Sequence, residues 1–215
     1  MPTLFNRILY KFLTLFFQLL YHQLAWSYDL VATAVSLGMW KSWVTCALPY
    51  LTGPRVLELG YGPGHLQVAM QAKKLEGFGL DASLQMSRQA RRRLLRRGGV
   101  PRLIRGKAQS LPFAAESFDQ VVATFPSEYI IEIDTLHEIW RVLRPHGWIV
   151  VVPTAWITST KPLAKAARLL FQITRQAPAW DDHYLDPVRQ VGFQARTEIH
   201  QLPGSQVLVV LAEKI

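Results

Sequence analysis

The chain has 215 residues, about half of them apolar, which predicts one domain with a full hydrophobic core and a modest extension. Its formal charge of +9 favours an anionic neighbour, either nucleic acid or an acidic bilayer, but does not indicate the charge of a substrate. Cys46 is the only cysteine, so the composition excludes an internal disulfide and a metal site built from cysteines.

Residues 1–27 are strongly apolar, with a polar side chain at every third or fourth position, which predicts a helix with one narrow polar stripe. The stripe consists of Arg7, Lys11, Thr14, Gln18 and His22. The uninterrupted apolar runs are shorter than the roughly 20 residues of a spanning helix, and no secretory cleavage pattern is evident. We expect an amphipathic membrane-interface helix. A helix packed on the protein or on a dimer partner, and a single span, are the alternatives.

Residues 28–215 are expected to form a single α/β domain. The segment Tyr28–Tyr50 has a helical rhythm that Gly38 interrupts, and short apolar runs then alternate with helix-like segments. The runs are RVLELG, GFGLD, RLIRG, FDQVVATF and GWIVVVP. Near the C-terminus, two apolar runs flank a Pro-Gly-Ser turn. These patterns predict a Rossmann-like, doubly wound sheet that is mostly parallel and ends in an antiparallel hairpin.

The turn after the first predicted strand has a glycine at every second position: Gly60, Gly62 and Gly64. In such sheets, ligands bind where strands end at their carboxyl side. His65 stands where a dinucleotide fingerprint requires its third glycine, and no Gly-Lys-Ser/Thr sequence follows, so NAD and triphosphates are disfavoured. Asp81 ends the second strand at about the spacing, roughly 20 residues, at which an acid binds a ribose diol.

The sequence E-x-G-x-G-x-G that begins at Glu58 resembles the first motif of class I S-adenosylmethionine-dependent methyltransferases. The segments GLDAS, GKAQSLPFAAESFDQVVATF and EIWRVLRPHGWIVVV resemble the elements that follow in that family. The resemblance covers roughly residues 28 to 153, and its motifs are specific as a set.

This resemblance implies S-adenosyl-L-methionine as the cofactor and assigns roles to particular positions. Gly60 and Gly62 would line its methionine portion, Glu58 would hold the ammonium end, and Asp81 would bind the ribose hydroxyls. The segment Lys107, Ala108 and Gln109 would flank the adenine. Tyr61, Gly64, Ala82, Met86 and Thr124 complete the expected cofactor site. Glu128 and Tyr129 are the candidates for orienting or deprotonating the methyl acceptor. We expect no metal, because the adjacent Asp181, Asp182 and His183 are poorly spaced to converge on one ion.

Two positions depart from the family pattern. Lys107 stands where the family usually has an acid that accepts a hydrogen bond from the adenine amino group, and lysine cannot accept one. Gln109 or a backbone carbonyl would replace it, or cofactor affinity would be reduced. His146 stands where the family has glycine, and a histidine tolerates positive φ better than a branched residue.

The acceptor suggested by the resemblance is a lipophilic small molecule of quinone or phospholipid type. Tyr28–Trp43 resembles the entry region of the ubiquinone and menaquinone methyltransferases, and bacterial phosphatidylethanolamine N-methyltransferases share the same general plan. A helical insertion at about residues 155–180 would build an acceptor pocket or lid. Methylation of a soluble metabolite, and an inactive cofactor-binding scaffold, remain open.

A basic helix after Asp81 contains SRQARRRLLRRGG, in which Arg92 and Arg96 lie one turn apart. The helix would contact an anionic membrane surface or present a solvated outer face. Nucleic acid is disfavoured because no RNA-binding module or aromatic platform accompanies the charge. We therefore expect a cytoplasmic protein that associates peripherally with the membrane. The sequence leaves its oligomeric state open.

Overall fold

The computed structural model describes residues 28–159 and 182–215. The predicted N-terminal amphipathic helix and most of the predicted insertion lie outside the described residues. The helices are α1 (Tyr28–Val35), α2 (Trp40–Thr45), α3 (His65–Ala72), α4 (Leu84–Leu95), α5 (Ile133–Val142) and α6 (Asp186–Gln190). Short 3₁₀ helices span Leu48–Tyr50, Glu128–Ile131 and Asp182–Leu185. The strands are β1 (Arg55–Leu59), β2 (Glu76–Asp81), β3 (Leu103–Arg105), β4 (Phe118–Thr124), β5 (Leu143–Ile157), β6 (Phe193–Leu202) and β7 (Ser205–Lys214).

These seven strands form one sheet in the order β3-β2-β1-β4-β5-β7-β6. Strands β1 to β5 pair in parallel, whereas β7 runs antiparallel to both β5 and β6. The predicted hairpin is confirmed, with its turn between Leu202 and Ser205. The strand order reverses between β1 and β4, and a ligand crevice is expected at that point of an open α/β sheet.

Alternating side chains of the central strands build a core on each face of the sheet. Val121 of β4 and Ile149 of β5 pack with α5 and α6 on one face. Val122 and Val150 pack with α2 and α3 on the other. Both faces of the sheet are therefore covered, which explains why these strands appear in the sequence as continuous apolar runs.

The segment before the sheet covers one end of the core. Gly38, with a φ of +82°, separates α1 from α2, as the sequence predicted. On α2, the Trp43 indole N–H donates to Ser205 Oγ at 2.9 Å, and the Trp40 ring lies 4.8 Å from the Phe125 ring. Phe125 directly follows β4, so α2 lies over the edge of the sheet where the parallel strands end.

Cys46 is buried in the second of these cores, and burial raises the pKa of its thiol to about 12. A structural role, not a reactive one, follows from that environment. None of the helices in the described part of the chain is long and apolar enough to cross a membrane.

Candidate cofactor and active site

The turn between β1 and α3 has a backbone that only glycine adopts without strain. Gly60, Gly62 and Gly64 have φ angles of +69°, +50° and +83°. The Gly64 N–H donates to the Tyr61 carbonyl at 2.9 Å and closes the turn. A Cβ at Gly62 would meet nothing within 4 Å among the described residues, so the turn exposes bare backbone to open space.

Glu58 lies at the end of β1, beside this turn, and is 1% exposed. Its Oε2 accepts a hydrogen bond of 2.9 Å from the Gln67 side-chain amide, which also donates to the Phe78 carbonyl at 3.0 Å. Burial raises the pKa of Glu58 to about 8, the Gln67 hydrogen bond opposes this rise, and the charge of Asp81 adds to it. A cation bound beside this carboxylate would therefore stabilise its charged form.

Asp81 ends β2 and approaches the turn from the neighbouring strand. Its Oδ2 accepts from the Gly62 N–H, and its Oδ1 accepts from the Ser83 N–H, both at 2.8 Å. Ser83 in turn caps α4, because its hydroxyl accepts from the Met86 N–H at 3.3 Å. Asp81 thus fixes the glycine turn against the start of α4, and two buried carboxylates border the turn. The ribose role of Asp81 stays a prediction.

The Tyr129 hydroxyl lies directly over Gly60. A Cβ on Gly60 would be 2.7 Å from this hydroxyl. The oxygen is buried and has no hydrogen-bond partner among residues 28–159 and 182–215. Burial raises the pKa of Tyr129, and the charges of Asp81 and Glu58 raise it further. The hydroxyl is consequently a proton donor that faces two acids, and it is poorly suited to act as a base.

These features fit the cofactor that the sequence implies. The carboxylates of Glu58 and Asp81 match an ammonium group and a pair of ribose hydroxyls. The open backbone at Gly62 provides room for a ligand. The Tyr129 hydroxyl has no hydrogen-bond partner in the described chain, and a ligand would supply one. Two buried carboxylates disfavour a phosphate at the same place.

The segment predicted to flank adenine follows β3, next to Asp81. The Gly106 N–H donates to the Asp81 carbonyl at 3.1 Å, which holds this segment beside the end of β2. Ala108 is buried, Lys107 is exposed, and the Gln109 side-chain amide donates to Glu132 Oε2 at 2.6 Å. Gln109 therefore connects this segment to the residues that follow Tyr129.

The other predicted site residues differ in their surroundings. Met86 is fully buried, and Tyr61 is 3% exposed and packs so closely on Gly79 that a Cβ there would lie 2.6 Å from its ring. Ala82 is exposed, and Thr124 is half-buried at the end of β4. Glu128 is exposed on the outer side of the 3₁₀ helix that carries Tyr129. The two residues proposed to act on the acceptor thus lie in different environments.

Two residues near the glycine turn were not predicted as part of the site. Gln67 is a polar residue on the buried face of α3, between Leu66 and Met70, and this position is the sequence signal for it. Arg93 lies seven positions after Met86 and three after Ala90, on the inner face of α4. Its Nη1 donates to the Pro63 carbonyl at 2.6 Å. Among the described residues, no group of three or more His, Cys, Asp or Glu side chains could hold a metal ion.

Comparison with known proteins agrees with this geometry. Residues 57–151 match the family model described as "Methyltransferase domain". The ubiquinone/menaquinone biosynthesis C-methyltransferase UbiE of Syntrophotalea carbinolica is 31% identical over 139 residues, covering 62% of this chain and 59% of that protein. A demethylmenaquinone methyltransferase of Mycobacterium sp. (strain KMS) is 38% identical over 128 residues, covering 58% of this chain and 53% of that protein. The chain thus spans about half to three fifths of the length of these relatives.

A solved structure shares the fold. The S-adenosylmethionine-dependent methyltransferase from Thermotoga maritima superposes with a TM-score of 0.53 at 20% identity, covering 97% of this chain and 99% of that one. Strand order, the glycine turn and the family match over residues 57–151 together support a class I S-adenosylmethionine-dependent methyltransferase domain. The predicted fold class is confirmed for the described residues.

Proposed function

We propose that the protein transfers a methyl group from S-adenosylmethionine to a lipophilic small molecule of quinone or phospholipid type. The observation that carries this proposal is the bare glycine turn between the buried carboxylates of Glu58 and Asp81. The relatives named for quinone biosynthesis support the class of acceptor.

In this proposal the residues around the turn bind and orient the cofactor. Glu58 holds its ammonium end, Asp81 its ribose hydroxyls, and the backbone of Gly60 and Gly62 lies against its methionine portion. The bound cofactor supplies an electrophilic methyl group on a sulfonium. The protein's own contribution is to align the two reactants and to exclude water, which needs no obligatory catalytic side chain.

Tyr129 and Glu128 would act at the boundary between cofactor and acceptor. The Tyr129 hydroxyl, which is protonated and lacks a partner in the described chain, would donate a hydrogen bond there. Glu128 is exposed on the same 3₁₀ helix, where it would accept a proton or a hydrogen bond from an acceptor that enters from outside. This division assigns orientation to Tyr129 and proton acceptance to Glu128.

Peripheral attachment to an anionic membrane on the cytoplasmic side completes the proposal. The outer face of α4 presents Arg88, Arg91, Arg92 and Arg96, all of them exposed. Exposed apolar side chains accompany them: Leu84, Leu95 and Val100 are 42%, 52% and 72% exposed. Charge together with apolar surface is the combination that binds a protein to an acidic interface. A lipophilic acceptor would be reached from that position.

Two experiments test the catalytic part. Calorimetric titration with S-adenosylmethionine and with its demethylated product measures cofactor binding. A methyl-labelled cofactor is then incubated with the protein and either a lipid extract or a water-soluble extract. We expect binding, and label in the lipid fraction.

Each alternative function has its own outcome. Label in the water-soluble fraction would favour a soluble metabolite. Binding without any transfer would favour an inactive scaffold, for which the exposed Lys107 in place of an acid is the supporting observation. Absence of cofactor binding would exclude all three functions.

A further inference from the structure

One arginine of α4 faces inward while its neighbours face solvent. Arg91, Arg92, Arg96 and Arg97 are exposed, whereas Arg93 is half-buried. Arg93 Nη1 donates to the Pro63 carbonyl at 2.6 Å and lies 3.3 Å from His65 Nε2. Because a guanidinium only donates, this contact places the acceptor nitrogen of the imidazole toward Arg93.

The contacted peptide group belongs to the glycine turn itself. Pro63 stands between Gly62 and Gly64, and the N–H of the same peptide group, that of Gly64, donates to the Tyr61 carbonyl at 2.9 Å. The peptide between residues 63 and 64 is thus held at its oxygen by Arg93 and at its nitrogen by the turn. A planar peptide bound at both ends has a fixed orientation.

A second contact joins the same two elements at the next residue. A Cβ on Gly64 would be 2.8 Å from the Ala90 Cβ, so α4 and the turn approach as closely as their smallest side chains allow. Glycines are the residues that lose the most conformational freedom on ordering. Ordering a turn with three glycines therefore costs much conformational entropy, and a hydrogen bond from outside the turn offsets part of that cost.

We propose that Arg93 is a positioning residue, which orders the glycine turn before the cofactor binds by fixing the peptide between Pro63 and Gly64. The inference rests on the proposed function, since the turn is taken to be the cofactor site. The arginines of α4 then have two different roles: Arg93 orders the turn, and the exposed arginines contact the membrane surface.

The test compares Arg93→Gln with Arg92→Gln and Arg96→Gln, which remove the same charge from exposed positions of the same helix. Calorimetry with S-adenosylmethionine should show affinity reduced roughly tenfold or more in Arg93→Gln, the effect typical of losing a hydrogen bond from a charged donor. The affinity of the two control variants for the cofactor should stay within about twofold of that of the wild type. In the assay, the KM for the cofactor should rise while kcat at saturating cofactor stays within about twofold.

Amide exchange provides a measurement that does not depend on activity. The N–H groups of Gly62 and Gly64 should exchange faster in Arg93→Gln, at an unchanged rate of global unfolding. Arg93→Lys keeps the charge and a single donor, and should fall between the wild type and Arg93→Gln. If Arg93→Gln does not fold, Arg93→Lys decides by the same criteria.

The inference is overturned if the wild type binds the cofactor and the Arg93 variants bind it as tightly as the controls do. It is also overturned if kcat falls while affinity is unchanged. If the wild type shows no binding, the proposed function fails first and this inference fails with it, so the two failures are distinguishable.

Discussion

Glu58 has an ionisable side chain that is buried away from water beside the site it is proposed to serve. Glu58 is 1% exposed, and burial raises its pKa to about 8, so the folded protein binds a proton that the unfolded chain releases near pH 4.5. The contribution of Glu58 to stability is therefore fully present below about pH 4.5, and is lost as the pH rises to about 8. Binding of a cation is expected to favour the charged form of Glu58, whereas the stability of the fold without ligand favours the neutral form.

The substitution Glu58→Gln should separate these two demands. It keeps the size and the hydrogen bond with Gln67 but carries no charge, so the free energy of unfolding should depend less on pH between 4.5 and 8. At pH 8 the variant should be more stable than the wild type by at least about 1 kcal/mol. Its affinity for S-adenosylmethionine should fall. Denaturant unfolding across this pH range, with the exposed Glu116→Gln as control, checks the prediction, and parallel pH curves would refute it.

Gly60 and Gly62 allow the role of the Tyr129 hydroxyl to be tested by a double-mutant cycle. Both glycines have positive φ, so alanine costs about 1–2 kcal/mol at either position. Only at Gly60 would the new Cβ also contact the hydroxyl, at 2.7 Å. Gly60→Ala should thus lower the melting temperature more than Gly62→Ala. Tyr129→Phe should reduce the difference between them. Additive effects in the double variant would contradict the contact.

At the scale of secondary structure, the sequence predicted the elements well and their ends less well. The run GWIVVVP predicted a strand of seven residues, but β5 extends from Leu143 to Ile157. Both ends are extended by pairing across the sheet: Leu143 pairs with Phe118, and Ile157 pairs with Ser205. Such pairings join residues distant in the chain, so local composition does not reveal them. The positive φ predicted for His146 is confirmed, at +60°.

The site residues were predictable where backbone geometry requires one residue type. They were less predictable where a residue belongs to the site only through its tertiary contacts. The three glycines and the acids at the ends of β1 and β2 follow from the motif. Gln67 and Arg93 were missed because the sequence shows a polar residue but not its partner, which here is Glu58 or the Pro63 carbonyl. Helical spacing would have placed both residues on buried faces.

Lys214 stabilises the C-terminal end of α5, and its substitution is expected to destabilise the protein. Its Nζ donates to the carbonyls of Trp140 and Leu143, each at 2.7 Å, and lies 5.1 Å from the centre of the Trp140 ring. Cations are favoured at helix C-termini. Lys214→Met should lower the free energy of unfolding by about 2 kcal/mol, because it leaves both carbonyls without this donor.

Denaturant unfolding followed by circular dichroism measures the effect of Lys214→Met. The exposed Lys73→Met serves as a control that should change stability by less than about 0.5 kcal/mol. Because Lys214 is only 9% exposed, the difference between the two variants should persist at high salt. A difference that vanishes at high salt would show that only long-range charge was involved.

For the whole molecule, the net charge of +9 and the basic face of α4 predict salt-dependent binding to acidic membranes. The protein should sediment with vesicles that contain phosphatidylserine, and not with pure phosphatidylcholine vesicles. The double variant Arg92→Gln/Arg96→Gln should weaken binding roughly tenfold or more, at about 1 kcal/mol for each arginine near the surface.

Two controls decide whether this binding depends on α4. Lys41→Gln/Lys73→Gln removes two charges from other helices and should have a smaller effect. Raising the salt concentration to about 1 M, where the screening length is about 3 Å, should release most of the protein. Equal losses in the two double variants would contradict a surface centred on α4.

The aromatic contact at the edge of the sheet gives the protein an optical reporter of its own. The ring centres of Trp40 and Trp43 lie 4.8 Å and 6.2 Å from the ring centre of Phe125. Phe125 belongs to the connection that leads from β4 to Tyr129, and its φ of +49° is strained for a residue other than glycine. A shift of that connection would alter the surroundings of both indoles. Tryptophan emission should therefore register ligand entry without any attached dye.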